Sequence, residues 1–459
     1  MSPDRVTGPV GSLAAALVLV VGTGGIAAQT LPRPLPLDRP PVPGDGYDFR
    51  FELGIEHSDN RARLDPRGRS DTLLVPRLDL TAFRTGRRLD LRATGNVEFR
   101  YSLPNRFEDE LRANVRAELD WTLLPNRLGW NFADVATVES VDVLAVDSPG
   151  NLQQTNVLGT GPELKLGTDG PWRGLLRGRF AASQAEETDE FDTNRTSVLG
   201  RAIRSLGPVQ RLMLEIEASD VRVRDARSVE AEHERADLLA RFFRQGARAS
   251  VALAVGHTWT DFDAGRSPAE PLARLELAWK RGESFRTYLA ASHELSDAVR
   301  DLLNGLETLD PDRLDRSPGI GRRLRVGAEV FTLDNIEVGI DFSGLRQRLN
   351  MTAFYRDYEF DRGNSELDFS GNGAIVAYTR RISEATTAGA AFTLERRRFD
   401  IQSRRDTDLR ATVYLQRRLN NRFAVRASLG RNQRWSNASG ADSRENVAGV
   451  ALIVFGGRS

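Results

Sequence analysis

Four histidines are the side chains best suited to catalysis near neutral pH: His57, His233, His257 and His293. Beside a serine or a carboxylate, a histidine could act as the base of an esterase or a protease. A pair at the right spacing could hold a metal. The run HEL at His293 has no second histidine downstream, so the helical zinc-hydrolase pattern is missing. His257 and His293 extend apolar series (Val251, Leu253, Val255; Leu289, Ala291), which predicts amphipathic rim positions. His233 falls in AEHERAD, which reads as a charged loop edge. The absence of cysteine excludes disulfides and thiolate metal sites. Nor does the mature chain carry a phosphate-binding glycine loop. The expectation is a protein that is not an enzyme, with no catalytic residue, cofactor or metal.

The second chemistry is that of guanidinium and carboxylate. Basic and acidic residues number 64 each, which leaves no net charge. That balance argues against a nucleic-acid partner, whose phosphates call for a basic footprint. The charges follow a rule of position. In RLDLRATGNVEFRYS (88–102), Arg88, Asp90, Arg92, Glu98 and Arg100 share one parity, while Leu89, Leu91, Ala93, Val97, Phe99 and Tyr101 share the other. YDFRFELGIEHS (47–58) sets Arg50 and Glu52 against Tyr47, Phe49, Phe51, Leu53 and Ile55. LRANVRAELDWTL (111–123) sets Arg112, Arg116, Glu118 and Asp120 against Leu111, Ala113, Val115, Ala117, Leu119, Trp121 and Leu123.

The element that sorts residues this way is a β-strand, because its side chains alternate between two faces. Weaker versions recur to the end of the chain. Several run to a dozen residues or more, against about 5–6 for a strand in a soluble protein. A tilted strand crossing a bilayer needs about 9–11 residues. The apolar face is nearly free of charge, as lipid contact demands. No amphipathic helices are available to cover so many faces. The fold class is therefore all-β: a single up-and-down antiparallel transmembrane β-barrel with short periplasmic turns and longer extracellular loops. Short turns such as 85–87, 124–127 and 420–422 alternate with polar loops such as 60–70, 147–155, 185–194 and 436–445. Their number implies about 20 strands, within a range of 18–22. Residues 298–335 read as a long loop and as the only long candidate for an inward constriction.

The first residues differ. Val10–Val21 is a short apolar run followed by small residues at Ala27 and Ala28, which predicts a signal peptide over 1–28. A proline-rich periplasmic tether follows over 29–46, and the barrel over 47–459. Trp121, Trp130, Trp172 and Trp279 lie beside short turns, and Trp259 and Trp435 beside long loops. Aromatic girdles at both membrane interfaces predict this distribution. The expected location is the bacterial outer membrane. The expected partners are outer-membrane lipid, the outer-membrane assembly machinery, and polysaccharide or small solutes.

The first strand ending in HSDN (57–60), DTLLVPRLDL (71–80), RRLDLRATGNVEFRYS (87–102) and LLPNRLGWNFAD (123–134) resemble the β-barrel porin 2 family. The likeness spans most of the mature chain and lies in texture rather than in a sharp motif. It implies an outer-membrane barrel, often associated with exopolysaccharide systems, that serves export or diffusion. For the charged face, which must line the lumen, two readings stay open. One is a hydrated pore for passive diffusion or exopolysaccharide export, lined by Arg50, Glu52, Arg88, Asp90, Arg92, Glu98, Arg100, Arg112, Arg116, Glu118 and Asp120. The other is a salt-bridged wall in a non-conducting structural or assembly barrel of a surface-polysaccharide secretion system. An outer-membrane hydrolase is a third reading, and it would need one of the histidines.

Overall fold

The computed structural model describes residues 46–458, except 64–67, 168–169, 225–231, 264–266, 305–326, 328, 362–366 and 401–402. Residues 1–45 lie outside the described residues, and with them the expected signal peptide and nearly all of the expected tether.

The first five strands are β1 (Gly46–Ser58), β2 (Asp71–Thr85), β3 (Leu89–Ser102), β4 (Glu110–Leu124) and β5 (Leu128–Ser140). Next come β6 (Leu152–Leu166), β7 (Trp172–Ala185), β8 (Thr193–Gly207), β9 (Gln210–Val223) and β10 (His233–Gln245). The second half begins with β11 (Ala249–Phe262), β12 (Ala269–Arg281), β13 (Phe285–Asp297), β14 (Val330–Ser343) and β15 (Gln347–Phe360). It ends with β16 (Phe369–Arg381), β17 (Thr386–Phe399), β18 (Arg404–Arg418), β19 (Phe423–Ser436) and β20 (Ser443–Arg458). One seven-residue helix, α1 (Ala298–Asn304), follows β13. Each strand pairs antiparallel with its neighbours in sequence, and β1 closes on β20 from Tyr47↔Arg458 to Ser58↔Val447. The fold is a closed 20-stranded barrel.

Alternation decides which face meets lipid. Leu53 and Ile55 are 44% and 54% exposed, whereas Glu52 between β2 and β20 is 6% exposed. The same contrast separates Phe99 and Tyr101 from Glu98 on β3. The outer wall is thus an apolar belt, and the carboxylates and guanidiniums point inward. Strands of 13–16 residues, tilted as in membrane barrels, rise about 30–40 Å, enough for an apolar band of about 25 Å and both interfaces. The chain is an outer-membrane β-barrel. Local chemistry fixes the short ends: Asn126 takes φ 59° in the turn after β4, and Gly282 takes φ 67° in the turn after β12. Side chains tolerate that region poorly, and asparagine and glycine are its usual occupants.

Four expectations need correction. The loop expected at 147–155 spans 141–151, because Leu152 onward is already paired in β6. His233 does not sit on a charged loop edge; it opens β10, faces inward, is 2% exposed and packs 5.1 Å from the Phe262 ring. Arg88 is not on the β3 wall; it lies exposed in the short turn before it, its carbonyl accepting from Thr122 N–H at 2.7 Å. Residues 330–335, expected within a long loop, belong to β14.

Candidate functional site

The site is the lumen, and its two ends differ. In the half nearer the long loops, inward side chains are sealed from water around the circumference. Glu98 accepts from Arg112 at 3.3 Å and Arg100 at 3.4 Å, with Arg77 at 3.6 Å. Arg61, from the loop after β1, donates to Asp71 at 2.7 Å and also reaches Glu110, which Arg112 contacts. Ser102 completes Asp71 at 2.9 Å. Across the closure, Arg63 and Ser58 donate to Glu445 at 2.9 and 2.7 Å. Buried ions survive only when paired and hydrogen-bonded in this way.

Two segments of chain cross this half of the lumen. The first is the loop 141–151, called here the latch. It is drawn across to β17–β19, more than 250 residues away in sequence. Arg397 donates to the Val143 carbonyl at 2.9 Å, Arg404 to Leu144 at 2.5 Å and Arg434 to Ala145 at 2.8 Å. Arg410 pairs with Asp147 at 2.8 Å. Leu144 packs on a luminal cluster of Phe331, Leu333, Tyr358, Phe360, Phe369 and Phe399. The second segment is α1. Ala298, Val299, Leu302 and Leu303 bury against Ala133, Val135, Val157, Ala181 and Ala185 on the inner side of β5–β7 and against Phe191 in the β7–β8 connection. Asp297 caps the Arg300 N–H at 2.9 Å and pairs with Arg195 at 2.5 Å, while Arg300 reaches Asp237 at 2.6 Å. Burial works against the Arg300 guanidinium, but Asp237 and Glu217 more than offset it and hold its proton well above the usual arginine range. Residues 298–335 therefore do send a segment inward through α1, while 305–326 lie outside the described residues. They are not the only inward candidate, because the latch crosses as well.

The periplasmic half keeps some of its inward polar side chains in contact with water. Arg92 and Asp120 are exposed although they face inward, and Arg116 and Glu118 lie above them on the β4 wall. Asp120 accepts from Asn131 at 2.9 Å, and Asp90 accepts from the Gly86 N–H at 3.0 Å. Arg50 bridges Glu52 at 3.0 Å and Asp79 at 2.7 Å, and Arg426 reaches Glu52 at 3.0 Å. Two tyrosines lie flat along this wall over glycines, because a Cβ on Gly339 or Gly389 would fall 2.0 or 2.1 Å from the Tyr288 or Tyr414 ring. Tyr288 donates to Glu337 at 2.6 Å.

All six tryptophans point outward. Trp121, Trp172, Trp259, Trp279 and Trp435 are exposed, and Trp130 is half-buried with its Nε1 donating to Thr160 at 2.7 Å. His257 stacks on Trp259 at 4.6 Å on the outer wall, and His293 contacts Asp334 at 2.7 Å there. His57 meets Thr72 Oγ1 at 2.9 Å. These three histidines are dispersed over the outer surface, and the fourth is buried. Among the described residues, no group of three or more His, Asp and Glu side chains is placed to hold a metal ion.

Alternation could not find the latch or α1, though a weaker signal existed. Inward positions Val135, Val157, Phe331, Tyr358 and Phe399 are apolar, so parts of the charged luminal face carry apolar patches. An apolar patch inside a charged lumen requires a cover.

No family model matches this chain, and no curated protein matches it. Similar solved structures include the siderophore receptor PirA from Pseudomonas aeruginosa, with a TM-score of 0.43 at 10% identity, covering 90% of this chain and 81% of that one. The FrpB iron transporter from Neisseria meningitidis gives 0.42 at 9% identity, covering 89% and 81%. The ferric yersiniabactin uptake receptor FyuA from Yersinia pestis gives 0.42 at 10% identity, covering 91% and 81%. None of these likenesses bears on what this chain carries.

Proposed function

We propose that this protein is an outer-membrane transport barrel that rests shut, with a hydrated vestibule facing the periplasm. The path opens for polar solutes or exopolysaccharide when the latch leaves the lumen. The observation that carries this reading is the latch itself. It is held through its main-chain carbonyls by Arg397, Arg404 and Arg434, by the Arg410–Asp147 ion pair and by the Leu144 side chain. Such contacts can be exchanged for water without unfolding the wall. The charged, wetted surface below supplies the lining for polar cargo. Polar recognition there would rest on Arg50, Arg92, Glu118 and Asp120, with the six tryptophans seating the barrel between the membrane interfaces.

The test is conductance in planar bilayers. Refolded full-length protein should be silent or nearly so. A variant with residues 142–150 replaced by a short glycine-serine linker should give steady ohmic steps. If that variant stays silent while keeping the heat-dependent gel mobility of a folded barrel, the second reading gains. That reading is a non-conducting structural barrel of a surface-polysaccharide secretion system, and the dense ion-pair network around Glu98 and Asp408 favours it.

A further inference from the structure

The wall has a weak seam that faces the outer leaflet. β4 extends to Glu110 and β5 to Ser140, yet their ladder stops at Val115↔Ala136. Above that point β4 stays paired with β3 as far as Arg100↔Glu110, and β5 with β6 as far as Ser140↔Leu152. The missing pairing is replaced by one side chain. Gln154 Oε1 accepts from the Ala113 N–H at 2.9 Å, and its Nε2 donates to the carbonyls of Ala113 at 3.0 Å and Thr137 at 2.8 Å. A side-chain amide thus stands where a peptide ladder would run, and it can rotate away as a ladder cannot.

Directly below the seam, the lipid-facing surface carries polar groups. Asp134 lies midway along the outward parity of β5, between Trp130 and Phe132 on one side and Ala136 and Val138 on the other. It accepts from Asn156 Nδ2 at 2.9 Å. A charged side chain at this depth is costly against hydrocarbon. On the luminal side of the same seam, Thr137 donates toward Asn114 and Glu139, each at 3.4 Å. Polar groups therefore line both sides of the only stretch of β4–β5 that lacks a ladder. The upper end of β5 also continues directly into the latch, so withdrawing the latch pulls on the strand that borders the seam.

We infer that the β4–β5 seam is a lateral passage between the lumen and the outer leaflet for an amphiphile whose head carries hydrogen-bond donors, such as an ammonium or hydroxyl group. The head would pass along Asp134, Asn156 and Gln154 while the acyl chain stays in the bilayer. This goes beyond the proposed transport role and does not need the lumen to conduct ions, so a silent bilayer experiment would leave it standing.

The chain contains no cysteine, so single labels can be placed cleanly. Asn114→Cys puts a bimane on the luminal side of the seam. Ser219→Cys puts one at a luminal position on β9, whose ladders to β8 and β10 are continuous there. In vesicles of phosphatidylethanolamine with brominated acyl chains, the bimane at 114 should be quenched and the one at 219 spared. Adding Gln154→Ala should raise the quenching rate at 114 about fivefold, the Boltzmann factor for about 1 kcal/mol of lost hydrogen bonding. Brominated phosphatidylcholine, which lacks head-group donors, should quench less, and Asp134→Leu should erase that preference. Equal quenching at 114 and 219, unmoved by Gln154→Ala, would overturn the passage. An Asp134→Leu variant that folds and keeps the head-group preference would overturn the role of Asp134 in it.

Discussion

The two halves of the lumen are built from the same strands and the same alternation, yet they behave as different materials. Toward the long loops, Arg112, Arg397 and Glu98 are each no more than 2% exposed. Toward the short turns, Arg92 keeps much of its surface in water. The charges themselves do not explain the contrast, since arginines and carboxylates occupy inward positions in both halves. What differs is the extra chain. The latch, α1 and the loop carrying Arg61 fill one half, and the ions left there must satisfy one another. Toward the short turns Arg92 and Asp120 stay hydrated, although Glu52 and Arg426 bury each other within the wall. Chain from across the lumen therefore adds to the burial that neighbouring strands already provide.

Chemical access should show the contrast most strongly. Thr94→Cys, exposed in the periplasmic half, should react with a water-soluble maleimide at least about a hundredfold faster than Ser183→Cys, which replaces a residue 1% exposed and bonded to Phe191 and Thr193; opening a packed region commonly costs several kcal/mol. Similar rates in folded protein would erase the distinction between the halves.

Stability comes next. Arg397→Ala should cost about 3 kcal/mol, because it leaves Asp408 with Arg434 alone and the Val143 carbonyl with no donor in a buried site. Urea titration of refolded protein, followed by gel mobility, measures it. Leu144→Ala should cost about 2 kcal/mol, near the lower end for a leucine that is only partly buried on the aromatic cluster. It should also speed labelling at luminal positions near β17 while leaving Thr94→Cys unchanged. The smallest effect belongs to Arg92→Ala, expected within about 0.5 kcal/mol of the parent, as for most exposed substitutions. A loss as large as that of Arg397→Ala would show that the periplasmic half is braced like the other.

Much of the wall was legible in the residue order. Leu89, Leu91, Val97, Phe99 and Tyr101 announce the lipid face of β3, and Glu98 and Arg100 its lumen face, because strand periodicity is local. The strand number followed from the alternation of short turns and long loops. The lumen-facing role expected of Arg88 failed at a strand end, where one residue decides between wall and turn. His233 was misread because AEHERAD is charged on both sides of it, whereas its own side chain turns inward onto Phe262.

By itself the sequence determined a membrane-crossing β-barrel, its lipid face and its approximate strand count, since each depends on neighbours two residues apart or on loop lengths. Only the tertiary structure decided that the 141–151 loop and α1 run into the lumen, and that the β4–β5 ladder gives way to Gln154. Those features join residues such as Val143 and Arg397, or Ala113 and Gln154, whose proximity arises from barrel closure and from chain crossing the lumen. No local pattern of hydrophobicity records that a carbonyl will meet a guanidinium on the opposite wall.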